Sequence, residues 1–115
     1  MKILILLASI LLTIGGINGC KKKDNTPTTS SSPGTNEVWM QNTAFTPGSI
    51  TVSVNSTIKW TNNDGVAHTV TSTSGLFDSG NISSGSTYSH QFTATGTYPY
   101  KCTIHSSMMG TVIVQ

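Results

Sequence analysis

The stretch GTYPYKCTIHSSMMGTVIV, residues 96–114, decides how this chain folds. Tyr98, Tyr100 and Cys102 alternate with polar or small residues and so share one face of an extended strand. Thr111 to Val114 reads as a strand that closes the domain, and His105 and Met108 fall on a turn before it. Cys102 sits at the end of the first strand with the parity of its buried aromatics, so it is expected to point between two sheets.

Working upstream, the same two-residue period recurs. Ile50, Val52 and Val54 alternate with Thr51 and Ser53, and Ile58 and Trp60 follow a turn at Asn55-Ser56. Asn62-Asn63-Asp64-Gly65 is a strong turn signal. His68 and Val70 alternate with Thr69 and Thr71. A loose Gly/Ser/Asn stretch from Thr73 to Ser86 carries only Leu76, Phe77 and Ile82 as apolar anchors. Tyr88, His90 and Phe92 share a face, and Thr95-Gly96 turns the chain into the strand from Thr97 to Lys101. No window holds a helical period. About seven short strands separated by turns predict an all-β fold, a small antiparallel sandwich.

The first 35 residues have a different composition. Met1-Lys2 followed by the apolar run Ile3 to Ile14 has the form of a secretory signal peptide, and that run is too short to span a bilayer as a helix. It ends at Ile17-Asn18-Gly19-Cys20, which resembles the lipobox of bacterial lipoproteins, although Asn18 is an unusual residue within it. Residues 1–19 are therefore expected to be a leader, with lipid on Cys20 holding the protein to a membrane surface without spanning it. The alternative is ordinary secretion with a free or mispaired Cys20. Residues 20–35, three lysines and Asp24 followed by Asn, Thr, Ser, Pro and Gly, contain too little apolar surface to fold and read as a tether. The folded domain is expected to occupy residues 36–115. It would be exported, periplasmic or on the cell surface.

Charge and cysteine count narrow the function. Lys59 and Lys101 against Glu37, Asp64 and Asp78 leave the folded part at −1, and the chain has no arginine. That excludes a nucleic-acid footprint and strong electrostatic steering of a partner. The chain has two cysteines, Cys20 and Cys102. A disulfide between them is the simplest reading for an exported protein, but each has a better separate use.

That use, for Cys102, is metal binding. Cys102, His105 and Met108 stand in Cys-x-x-His-x-x-Met spacing, and His68 can approach from a neighbouring strand at the same end. One thiolate, two imidazoles and a thioether form a soft donor set that suits copper; Cys and two His alone could hold zinc, but methionine argues against it. Three donors on one short loop converge with little loop-closure entropy. Met109 competes with Met108 for the thioether place, and the register of Gly110 and Val112 favours Met108. His90, beside Tyr88 and Phe92, reads as a packed strand histidine, and Trp39 and Trp60 read as core.

Two groups of residues then carry a family resemblance. Phe45-x-Pro47-x-x-Ile50-x-Val52, Ile58-Lys59-Trp60-Thr61-Asn62-x-Asp64 and His68-Thr69-Val70 form the first. Phe92-Thr93-x-x-Gly96-Thr97-Tyr98-x-Tyr100-x-Cys102-Thr103-x-His105-x-x-Met108-x-Gly110-x-Val112 forms the second. Together they resemble the cupredoxins, nearest the plastocyanin and amicyanin group, over nearly the whole folded domain. The resemblance implies a Greek-key β-sandwich with one type 1 copper, His68, Cys102 and His105 as equatorial ligands, Met108 as the axial one, and one-electron transfer between redox partner proteins such as a cytochrome or a copper or haem enzyme. It also implies that the exposed edge of His105 is the electron port, with Ile104, Met109, Val66 and Pro47 as candidates for an apolar docking patch. Three departures stand out. Thr69 replaces the asparagine that ties the ligand loops together in plastocyanins, Ile104 replaces a loop proline, and Asn55 replaces a turn glycine. A copper carrier or storage protein using the same ligands is the alternative function. An enzyme would need further metal-binding histidines, and only His90 is spare.

Overall fold

The computed structural model describes residues 32–115; the expected leader, Cys20 and most of the expected tether lie outside that range. Eight strands are present among the described residues: β1 Glu37–Gln41, β2 Ala44–Thr46, β3 Ser49–Val52, β4 Thr57–Asn62, β5 Thr71–Ser72, β6 Thr87–Gln91, β7 Gly96–Lys101 and β8 Met109–Val114. They form two four-stranded sheets, ordered β2-β1-β4-β6 and β3-β8-β7-β5. No helix occurs among the described residues, as the sequence predicts.

The sandwich is mixed in direction. Four strand pairs are antiparallel, but β1 runs parallel to β4 and β3 runs parallel to β8. A parallel pair needs a crossover between its members, so each is made by strands distant in the chain. The predicted alternation holds where a strand has one wet face. In β4 Ile58, Trp60 and Asn62 are buried and Thr57 and Lys59 exposed; in β8 Gly110, Val112 and Val114 are buried.

Trp60 is the centre of the core. Its ring is fully buried, with Tyr100 edge-on at 5.4 Å, Tyr88 at 5.8 Å and Phe77 at 6.2 Å between centroids. Full burial of one such side chain is worth roughly 1.5–3 kcal/mol, with aromatic pairing adding about 1 kcal/mol. Gly110 faces Tyr100 across the β7–β8 ladder. A Cβ there would lie 2.8 Å from Cε2 of the tyrosine and closer still to Cζ and the hydroxyl oxygen, so only glycine lets the phenol lie flat over β8. Burial also pushes the Tyr100 hydroxyl up to about 12.

Two expectations from alternation fail. Trp39 is only half-buried, because the inward residues of β1 are Val38 and Met40. Val54 is largely exposed, because β3 ends at Val52 and the chain turns through Asn55, whose φ of +74° asparagine tolerates.

Candidate metal centre

The β7–β8 hairpin positions three of the expected donors. Lys101 pairs with Met109 in the ladder, and the loop above them is drawn closed by two backbone hydrogen bonds: Cys102 N donates to Met108 O (3.1 Å) and Met108 N to His105 O (2.9 Å). Cys102 is fully buried and free of any disulfide, and His105 is half-buried.

His68 arrives on the connection that crosses from β4 in one sheet to β5 in the other. It is held not by a strand, as the alternation predicts, but by a single bridge to Ile82, whose two hydrogen bonds measure 3.1 and 2.7 Å. Asn62, read from sequence only as part of a turn, organises this connection. Its buried Nδ2 donates to Val66 O (2.8 Å) and Ile82 O (2.9 Å), and its Oδ1 accepts from Asp64 N (2.9 Å).

His68, Cys102 and His105 come together, their donor atoms all within 4.8 Å of one another. Cys102 Sγ lies 3.9 Å from Nδ1 of His68 and 3.9 Å from Nδ1 of His105, and the two nitrogens are 3.1 Å apart. A point equidistant from these three atoms falls about 2.1 Å from each, within the ~2.0–2.3 Å of metal–nitrogen and metal–sulfur bonds. A trigonal set of two nitrogens and one sulfur of that size fits copper. Met108 is buried beside this loop, whereas Met109 is 67% exposed.

The thiol is prepared to act as a thiolate. Burial alone pushes Cys102 up, but hydrogen bonds from the Thr69 amide (3.3 Å), the backbone and ring of His105 and the backbone of Ile104 outweigh it and bring the group down to about 6. Thr69 also ties the ligand segments together despite replacing an asparagine. Its hydroxyl oxygen accepts from Thr103 N (2.9 Å) and lies 3.2 Å from the Thr103 hydroxyl and 3.0 Å from that of Thr71.

Asp64 was not singled out by sequence reasoning as a site residue. Its Oδ2 lies 2.7 Å from Nε2 of His68, the nitrogen away from the cluster. Its four-residue spacing before His68 in the turn is the signal that could have found it. Burial alone would raise the carboxyl, but hydrogen bonds from the Thr43 amide, His68 and the Asn42 amide hold it below the usual carboxylate range. His90 does not join the cluster; its ring packs 4.7 Å from Phe77 and 4.9 Å from Phe92, and burial lowers its basicity.

A two-sheet sandwich with one thiolate and two imidazoles converging at one end defines a small single-metal β protein. The chain matches the cupredoxin-like domain over residues 5–114, and it belongs to that family. It is 33% identical to amicyanin-alpha of Methylorubrum extorquens over 87 residues, covering 71% of this chain and 73% of that protein. It is 32% identical to plastocyanin of Scenedesmus fuscus over 89 residues, covering 62% and 86%. The solved structure of a reduced amicyanin variant superposes with a TM-score of 0.66 at 27% identity, covering 69% of this chain and 80% of the other.

Proposed function

We propose that this protein is a copper-binding electron carrier, a one-electron shuttle between redox partner proteins. The observation that carries the reading is the triangle of two imidazole nitrogens and one thiol sulfur, sized for one ion and built from donors on the β4–β5 connection and the β7–β8 loop. His68, Cys102 and His105 would hold the copper, with the Met108 thioether as the further donor, and the ion would supply one-electron redox chemistry there. A copper ion there supplies a couple in which one electron arrives from a donor protein and one leaves to an acceptor, with no substrate bond made or broken.

The protein's own part is to keep the donors still. The loop hydrogen bonds, the buried thiol and the threonine ties give both oxidation states nearly the same surroundings, which limits reorganisation. His105 is the half-buried ligand, so its ring is the short route to the surface. Val66, Ile104 and Met109, all exposed and on the ligand-bearing segments, and exposed Pro47 supply apolar contact for a weak, transient encounter with a partner such as a cytochrome or a copper or haem enzyme. Residues 1–19 as a leader and lipid on Cys20 would place the carrier outside the cytoplasm on a membrane surface, periplasmic or cell-surface, with residues 20–35 as tether to the domain at 36–115. It is a carrier rather than an enzyme.

The test is the visible spectrum of residues 36–115 with Cu(II), before and after ascorbate. An intense thiolate-to-copper band that bleaches on reduction and returns on oxidation is expected. A folded domain without that band overturns the reading, and tight Cu(I) binding in its place would mark a copper carrier or storage protein.

A further inference from the structure

The β1–β2 turn and the buried histidine share one carboxylate. Asp64 Oδ1 accepts from Asn42 N at 2.7 Å, while Oδ2 accepts from Thr43 N at 2.9 Å and lies 2.7 Å from Nε2 of His68. Asn42 and Thr43 both have positive φ, +56° and +57°. For β-branched Thr43 that conformation is a strained one, so the turn depends on its anchor. Asp64 is in turn fixed by the bond from its own amide to buried Asn62. Its side chain is 14% exposed, which limits screening by solvent and salt.

We propose that Asp64 is a positioning residue for the copper ligand His68, and that its charge sets the balance between the two oxidation states. This rests on the copper reading above. A carboxylate that accepts the far N–H of a ligating imidazole fixes the tautomer with Nδ1 free for the metal and makes that nitrogen a stronger donor. A stronger donor, and a negative charge one ring's width from the ion, stabilise Cu(II) more than Cu(I). The alternative role for Asp64 is to hold the turn and nothing else.

Asp64→Asn separates the two roles, because it keeps the shape and removes the charge. In the copper-loaded protein the blue band should persist while the preference for Cu(II) over Cu(I) falls about tenfold, read as a rise of ~59 mV in the one-electron potential. Asp64→Glu, which keeps the charge, should hold the potential close to that of the unsubstituted protein. Thr43→Gly relieves the turn, so in the Thr43→Gly/Asp64→Asn double variant the melting temperature should recover and the raised potential should remain. In the metal-free protein, 15N spectra should show His68 protonated at Nε2 and lose that uniform tautomer on Asp64→Asn. An unchanged potential in Asp64→Asn, with only the melting temperature lowered, overturns the proposal and leaves Asp64 a turn residue. A missing blue band in the unsubstituted protein overturns the copper reading itself, and this proposal with it.

Discussion

His68 and His105 face each other through Nδ1, 3.1 Å apart. Both nitrogens cannot carry a proton in that contact, and two bare lone pairs would repel. An Nε2–H of His68 that donates to Asp64 leaves Nδ1 of that ring as the acceptor toward His105. An ion bound between the two nitrogens would take both lone pairs.

One prediction concerns His105 itself. Without metal its Nδ1–H should donate to His68; after Cu(I) is added the proton should sit on Nε2. Nitrogen-15 spectra of the two rings would record the switch at His105 and none at His68. The same tautomer for His105 in both states would disprove the paired-ring arrangement.

The two adjacent methionines should behave oppositely. Met108→Leu keeps the buried volume, so stability should drop by less than about 1.5 kcal/mol, yet the potential and the visible band should move because the thioether is gone. Met109→Leu, at an exposed position, should alter stability by no more than about 0.5 kcal/mol and leave both spectrum and potential as they were. A spectrum sensitive to Met109 instead would exchange their roles.

Gly110→Ala would force Tyr100 out of its place over β8, since the new Cβ would collide with Cζ and the hydroxyl oxygen of its ring. A loss of roughly 1–3 kcal/mol is expected in denaturant unfolding, as for other overpacked core sites. Tyr100→Phe in the same background removes that oxygen but leaves Cζ equally close, and should recover little.

Acid sensitivity should come partly from Glu37. Burial raises its carboxyl, but the Thr61 hydroxyl (2.8 Å), the Gly34 amide (3.1 Å) and the Lys59 charge (3.6 Å) together bring it below the usual range. A carboxyl depressed in the folded state adds stability above its unfolded value, near pH ~4.3, and loses it as pH falls through the folded value. Glu37→Gln should therefore melt lower than the parent at pH 7, with the two melting curves converging as the pH falls through the lowered folded value of the carboxyl. Parallel curves over that whole span would show that Glu37 is not linked to acid unfolding.

Much of this architecture was legible in the chain because half-buried strands write their faces in a two-residue period. Ile58 and Trp60, and Tyr100 with Cys102, are inward as alternation required. The period is silent about which strands pair and in which direction, so the parallel β1–β4 and β3–β8 pairs could not be read. It also overshoots strand ends, as at Val54, and leaves the choice of inward face open where both are apolar, as at Trp39 beside Val38 and Met40. The expected ligands carry unusual chemistry at telling spacings and stood out at once. Asp64 and Asn62 did not, because their roles lie in hydrogen bonds to backbone and ring atoms that only the folded chain brings near.

The crossing position of His68 has a mechanical consequence. Cys102 and His105 belong to a hairpin of one sheet, while His68 lies on the strap leading out of the other, held to its surroundings by the Ile82 bridge and the Asn62 bonds. An ion gripped by all three rivets the two layers together at one end. Such an ion grips the native arrangement alone, so its affinity adds directly to resistance against unfolding. Copper occupancy and thermal endurance should rise and fall together, and a carrier stripped of its metal should open first at that end.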